Sequence, residues 1–414
     1  MIRCDCEESV APAGKMRVTG VRSRLVELPL DSPFRPAWDR GREQTKLVLV
    51  VFEVGTDAGI VGIGAAHGGL ETQVAVDRFV TPSLLGQDPT LVERITPILE
   101  EADILGPPVY CMEIPLWDII GKAAGLPLFR LWGGRRDRVL AYASTGELRE
   151  PERRAEDVAQ LAADGFKAVK LRFHLDDPRD DLRVVEAVRR RVGDSVELMV
   201  DANQAGAFPG IGGHTEWGYR TALMVARELE RYGVRWLEEP LRRHDYEGLA
   251  RLRQAVETIG IAGGEDNHGL AAFKMLLDRA CLDILQPDAV KSLPVSQIRA
   301  LGAFADLAGV EVTPHTWGNG LGLLTHLHLA ASIPNCRYLE FPHDPPSGFT
   351  AQARDRMLRE TVTIGEDGYV RVPERPGFGF LLDGERLERY TVHTVERGEP
   401  IDGGDGPRRI PQEG

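Results

Sequence analysis

Positive charge is scarce in this chain, cysteine is sparse, and no apolar run is long. Lys and Arg number 50 against 63 Asp and Glu, a formal net charge of −13. Nucleic acids and anionic membranes select basic surfaces, so neither is an expected partner. An anionic substrate stays open, because a bound cation and local basic groups reverse the potential inside a cleft. The five cysteines (Cys4, Cys6, Cys111, Cys281, Cys336) form neither a disulfide framework nor a zinc spacing. Cys4 and Cys6 sit in a polar leader, and the other three sit in apolar or strand-like stretches, a usage that suits a reducing cytoplasm. The longest apolar run, Leu47–Phe52, falls far short of a bilayer span, and Met1–Lys15 lacks an apolar signal core. A cytoplasmic location is expected. Also missing are internal repeats, low-complexity tracts and a Gly-rich phosphate fingerprint, the last of which argues against a doubly wound sheet.

What is present is ample apolar material: 43% of 414 residues, enough for a barrel and a second lobe. Residues 1–15 read as a polar tail. Between Met16 and Val54 two strand-like segments flank a long polar loop, and Gly55-Thr-Asp-Ala-Gly turns the chain into a further strand at Ile60–Gly64. Helical periodicity follows over Glu71–Leu85, Val92–Leu105 and Pro115–Ala124. Residues 16–134 are therefore expected to form an α+β lobe. After Gly133-Gly134 short buried strands alternate with amphipathic helices. Strands are expected at Leu140–Ser144, Ala168–Phe173, Glu197–Asp201, Val234–Glu238, Ile261–Glu265, Asp283–Asp288, Glu311–His315 and Arg337–Phe341. Eight strands in βα alternation over 135–341 predict a TIM-like barrel. Residues 342–400 are rich in Pro and Gly, and 401–414 form a second polar tail.

Chemistry in a barrel sits where strands end and βα loops begin. The third barrel strand ends at Asp201-Ala-Asn203, the fourth at Glu238-Glu239-Pro, and the fifth at Glu265-Asp266. One acidic residue at a strand end is ordinarily a helix cap or a surface pair. Three on consecutive strands converge, and a hard divalent cation is the natural remedy for their repulsion; oxygen donors favour Mg²⁺, with Mn²⁺ as the alternative. Side chains alternate along a strand, so only one of Glu238 and Glu239 shares the inward face, and the pattern leaves both open. Across the barrel, Lys170 and Arg172 are two apart and point the same way. Asp288 and His315 end adjacent strands and are placed to form a dyad in which the carboxylate orients the imidazole. Of the ten histidines, His326 and His328 lie in an apolar helix and read as packing or surface residues.

The runs Lys170-x-Arg172, Val200-Asp-Ala-Asn, Trp236-Leu-Glu-Glu-Pro, Gly264-Glu-Asp-Asn, Gln286-Pro-Asp and Pro314-His-Thr resemble the mandelate racemase branch of the enolase superfamily. The likeness runs through nearly the whole chain, including Trp117-Asp-Ile-Ile-Gly-Lys-Ala-Ala-Gly-Leu-Pro. It implies a (β/α)₇β barrel capped by an α+β lobe built from both N- and C-terminal segments. It implies Asp201, Glu238 and Glu265 as metal ligands, His315 as base with Asp288 as partner, and Glu340 near the substrate carboxylate. Where the family often carries Lys-x-Lys, this chain has Arg172, a poor base and a good clamp for an anionic oxygen. Lys170 remains as an electrophilic partner.

The shared chemistry implied is removal of a proton α to a carboxylate, giving an enediolate. With Arg172 disfavouring a second base, β-elimination of water from a sugar acid is the expected outcome. A racemase or epimerase is the alternative, and a non-catalytic binding protein on the same fold a second. Substrate contacts are expected from Asn203, from Arg35 and Trp38 in a loop that also holds Arg40 and Arg42, from His67, and from Trp317. The Gly-rich stretch 205–213, with His214 and Trp217, is expected to border the cleft. The expected partners are a small-molecule carboxylate and further copies of the same chain.

Overall fold

The computed structural model describes residues 15–39, 42–206 and 216–401. Its first sheet is antiparallel, built from β1 (Val18–Phe34), β2 (Gln44–Thr56), β3 (Val61–His67) and β13 (Thr391–Gly398), in the order β13-β1-β2-β3. The chain's C-terminal strand thus returns to pair with its first. β1 is longer than the sequence suggests. Its polar positions after Leu30 belong to a strand whose alternating side chains face solvent, so much of the expected polar loop is strand. The hairpin joining β2 and β3 lies at the Gly55–Gly59 turn, with Leu49 paired to His67 at its far end.

The second sheet is parallel and curls into the barrel: β4 (Arg138–Ser144), β5 (Ala168–Arg172), β6 (Glu197–Asp201), β7 (Val234–Glu238), β8 (Gly260–Gly263), β9 (Ile284–Leu285), β10 (Glu311–Val312) and β11 (Tyr338–Pro342). Helices at 151–163, 178–192, 219–231, 246–255, 269–278, 295–307 and 320–332 connect successive strands, which makes a (β/α)₇β barrel. β11 pairs with β4, and a short β12 (Tyr369–Arg371) adds antiparallel to the start of β4. β9 and β10 stop earlier than expected. Pro287 and Pro314 each lack a ladder donor, and the chain continues as irregular backbone tied by His315 N–H to Pro287 O at 3.1 Å.

The barrel interior is layered by strand alternation. Tyr142, Ala168, Met199, Trp236, Ala262, Ile284 and Tyr338 form one buried apolar plug. Its three large rings meet edge-on, with Tyr142 and Trp236 centroids 5.5 Å apart. Two residues further along six of these strands or their extensions stand Ser144, Lys170, Asp201, Glu238, Gln286 and Glu340, all buried. The apolar plug is therefore the floor on which a polar layer rests, and the period of two places both.

The lobe is fastened to the barrel by specific contacts. Phe34, Trp38, Trp317 and Phe349 form one aromatic cluster, with Trp317 and Phe349 stacked at 4.6 Å. Glu113, buried in the lobe helix Glu113–Ala124, accepts from Thr96 Oγ1 at 2.8 Å and from both the backbone N–H and Oγ of Ser296 at 2.7 Å. Ser296 lies in the first turn of the barrel helix Val295–Leu307, so a carboxylate from the lobe satisfies that helix's free N–H. Glu113→Ala strands these donors in a buried junction. It is expected to lower unfolding free energy by about 2–3 kcal/mol, read as a shift of the urea midpoint. An unchanged midpoint would contradict the assignment of this contact as a fastening.

Candidate active site

Strand register brings the charged residues together. Arg172 on β5 pairs with Asp201 on β6, and Asp201 pairs with Glu238 on β7. Glu265 follows β8 after Gly264, whose φ of +117° turns the chain back toward its neighbours. One carboxylate oxygen from each of Asp201, Glu238 and Glu265 lies within 4.8 Å of the others, and all three residues are buried. Glu238 accepts from Lys170 Nζ at 2.7 Å, Gln286 Nε2 at 2.7 Å and Trp236 Nε1 at 3.1 Å. Burial, and after it the charge of Asp201, still push its carboxyl up to about 8. Glu239 leaves the strand at φ +46° and lines the cavity above; with Glu265 and Asp266 it makes a second acidic group.

Lys170 is fully buried, with Nζ 2.7 Å from Glu238, 2.8 Å from Glu340 and 3.6 Å from Asp201. Burial favours its neutral form, but Glu238 and Glu340 outweigh that and hold its pKa above the usual lysine value. Arg172 is pinned on every side. It donates to Thr145 O at 2.7 Å, Ser144 Oγ at 3.1 Å, Asn203 Oδ1 at 3.2 Å and the Asp201 carboxylate. Its guanidinium lies 4.9 Å from the Trp38 ring centroid and 5.3 Å from that of Trp317. Glu340 accepts the Thr316 N–H at 2.9 Å.

His315 bridges two carboxylates. Its Nδ1 is 2.7 Å from Asp288 Oδ2 and its Nε2 is 3.2 Å from Glu265 Oε2. Burial works against protonation, yet the charges of Glu265 and Glu340 and the Asp288 hydrogen bond raise its pKa to about 9. These groups border a cavity of about 710 Å³ whose wall includes Arg172, Asn203, Glu265, Lys291 and His315 from the barrel. The lobe contributes Trp38, Asp39, His67 and Glu71, and Trp317 completes that side.

A model of the mandelate racemase/muconate lactonizing enzyme N-terminal domain matches residues 19–133, and one described as enolase C-terminal domain-like matches 153–386. The chain belongs to the enolase superfamily. Superfamily relatives include D-galactarolactone cycloisomerase of Agrobacterium fabrum, 32% identical over 91% of this chain and 99% of that one. L-talarate/galactarate dehydratase of Salmonella typhimurium is 30% identical over 92% and 93%. The crystal structure of that dehydratase superposes with a TM-score of 0.81 at 28% identity, covering 96% of this chain and 98% of the other. A mutant L-talarate/galactarate dehydratase has been solved liganded with Mg and L-glucarate.

In this enolase-superfamily chain the donor set fits a divalent cation. Asp201, Glu238 and Glu265 bring three carboxylates toward one point, and burial, with the charge of Asp201 after it, raises the pKa of Glu238. All candidate ligand atoms are carboxylate oxygens, the preference of Mg²⁺.

The expected residues do not all stand at the cavity wall. Asn203, Trp38, His67, Trp317, Arg172, Glu265 and His315 line it. Lys170, Asp201, Glu238 and Glu340 lie one layer below, and Asp288 lies behind His315, so Lys170 touches carboxylates and not the cavity. Arg35 does not line the cavity among the described residues. Pro36 bridges to Glu147, and the Arg35 guanidinium, 72% exposed, pairs with Glu43 at 2.5 Å. Arg42 pairs with Asp39 at 3.7 Å and is exposed. Arg40 and residues 207–215, His214 among them, lie outside the described residues. Trp217 packs against Phe173 and donates its backbone N–H to Gln204 at 2.8 Å, away from the cavity wall. His67 braces the lobe by bonding to the Trp317 carbonyl, and Gly318 (φ +100°) is required there because a β-carbon would collide with the imidazole.

Three participants escaped the sequence reading. Lys291 Nζ lies 3.1 Å from Glu265 and 2.9 Å from Asp266, and its position three residues past Asp288 was the available signal. Trp236 and Gln286 stand two residues before Glu238 and Asp288, so strand alternation already pointed them inward. Glu238→Gln is expected to lower Mg²⁺ affinity at least tenfold in calorimetric titration, while Glu239→Gln changes it less than threefold. The reverse order would contradict the choice of Glu238.

Proposed function

We propose that the protein is a Mg²⁺-dependent acid-sugar dehydratase. Asp201, Glu238 and Glu265 would hold the ion. When bound, Mg²⁺ supplies Lewis-acid stabilisation of the negative charge that develops on a substrate carboxylate. His315 then takes the α-proton through Nε2, with Asp288 holding the opposite ring nitrogen as N–H and stabilising the imidazolium. The charge of Glu265 is the largest of the attractions that raise His315. A cation held by Glu265 would draw on that charge and bring the imidazole toward the range a general base needs. The imidazolium returns its proton to the leaving β-hydroxyl, which departs as water. The enediolate's electron pair forms the new C–C double bond, and the enol ketonises to a 2-keto-3-deoxy acid.

The observation that carries this reading is the state of the β5 pair. Racemisation needs proton transfer on both faces of the α-carbon. Arg172 keeps its proton and spends its donors on Ser144, Thr145, Asp201 and Asn203, while Lys170 is buried among carboxylates that keep it charged. Both cations instead hold the carboxylate layer in place and add positive potential beneath the enediolate. One-sided proton transfer with a β-leaving group is elimination. The polar cavity wall, with Asn203, Asp39, Glu71, Arg243 and Lys291, suits a polyhydroxylated acid, and sugar acids are named for the dehydratase and cycloisomerase relatives.

Screening C5 and C6 aldonates and aldarates with Mg²⁺, and trapping keto acids as semicarbazones, is the test. At least one acid is expected to yield a 2-keto-3-deoxy product, with turnover abolished by chelation and restored by Mg²⁺. Isomerised or epimerised acid without keto acid would contradict the dehydratase reading.

A further inference from the structure

The helix Gly320–Ser332 is buried along almost its whole length and is capped by Asn319, whose Oδ1 accepts the Gly322 N–H at 2.9 Å. At its centre stands His326, fully buried, and the mechanism above gives it no part. Both of its ring nitrogens are engaged. Nδ1 lies 2.8 Å from the Gly322 carbonyl one turn earlier, and Nε2 lies 2.9 Å from the backbone nitrogen of Ala289.

These two partners settle the proton. A carbonyl oxygen only accepts, so Nδ1 carries the hydrogen; a backbone N–H only donates, so Nε2 is bare. The imidazole is therefore neutral. Its bare Nε2 stands 3.4 Å from Asp288 Oδ1 and has no proton to offer that carboxylate. Asp288 is left with the Val290 N–H on Oδ1 at 2.7 Å and His315 on Oδ2 at 2.7 Å. The turn is held at two further points, where Asp288 N–H donates to Ser292 Oγ at 2.6 Å and Ser292 N–H donates to Asp288 O at 2.8 Å. A protonated His326 would aim a second imidazolium at Asp288 and compete with His315. An apolar residue would leave the Ala289 N–H buried without a partner.

We propose that His326 is a positioning residue, a neutral imidazole that fixes the 288–292 turn through the Ala289 N–H and so keeps His315 as the one imidazole that donates to the Asp288 carboxylate. The assignment rests on the reading of His315 and Asp288 as the proton-transfer dyad. His326 acts through that pair and touches no substrate.

The test uses the full-length enzyme, with and without Mg²⁺, labelled with ¹⁵N at histidine. Wild type should show His326 with a protonated Nδ1 and an unprotonated Nε2. The low-field proton shared by His315 and Asp288, assigned by its loss in His315→Asn, should survive in His326→Gln, whose amide oxygen can accept the Ala289 N–H. It should shift or vanish in His326→Leu. With whichever acid sugar the screen identifies, His326→Leu should lower kcat by about 10- to 100-fold, the range typical of lost supporting hydrogen bonds. KM and Mg²⁺ affinity should stay within twofold of wild type, and His326→Gln should recover most of the rate. A protonated Nε2 in wild type overturns the proposal, as does a His315 resonance unchanged in His326→Leu. Should His326→Leu not fold, the wild-type tautomer and the His326→Gln spectrum still decide. The spectra need no substrate, so a failed screen overturns the dehydratase reading and leaves this test standing.

Discussion

Four carboxylates gathered at the mouth of a barrel, below the reach of bulk water, must be compensated or protonated. Lys170 pairs with Glu238 and Glu340 and Arg172 pairs with Asp201, both cations buried with them, while Glu265 meets Lys291 and His315. Much of the local architecture answers that need. Trp236 and Gln286 both donate to Glu238 Oε2, and Lys291 braces Glu265. The convergence of Asp201, Glu238 and Glu265 is what suits a divalent cation, and it lies beside the imidazole of His315.

The second constraint is rigidity around those charges. Arg172 is held between two tryptophans, one from the lobe and one from the loop after β10. The same two rings join Phe34 and Phe349, so the lobe's first strand, the barrel mouth and the segment after β11 share one aromatic cluster. A guanidinium fixed this way is preorganised for a developing anion and costs little reorganisation when charge appears. Lobe and barrel are thus coupled at the site as well as at the Glu113–Ser296 junction.

Strand alternation explains how much of this was legible in the sequence. Asp201 and Glu238 end successive strands, Glu265 follows the next by two residues, and Asp288 and His315 each follow a strand by three, so a βα reading of the chain brings them together without any tertiary information. The parallel pairing of β5 through β8 is what makes that inference work. The layer in which each residue lies was less visible. Lys170 and Arg172 share a face, yet one is sealed under the carboxylates and the other lines the cavity, a difference set by depth along the barrel axis. Arg35 is expected as a substrate contact because its loop is polar and basic; β1 extends to Phe34 and delivers the Arg35 side chain to the surface. His326 was hidden for the opposite reason. Its partners Ala289 and Gly322 contribute only backbone atoms, which no residue pattern displays.

In the proposed reaction one imidazole, that of His315, moves the proton. Proton NMR of a turned-over acid sugar in D₂O with Mg²⁺ tests it most directly, comparing wild type with His315→Asn. The wild type is expected to form keto acid without interconverting the epimers at the α-carbon, and the variant is expected to lose both turnover and α-proton exchange. Exchange that persists in His315→Asn, or epimers that interconvert in wild type, would mean that a second base operates and would contradict the account.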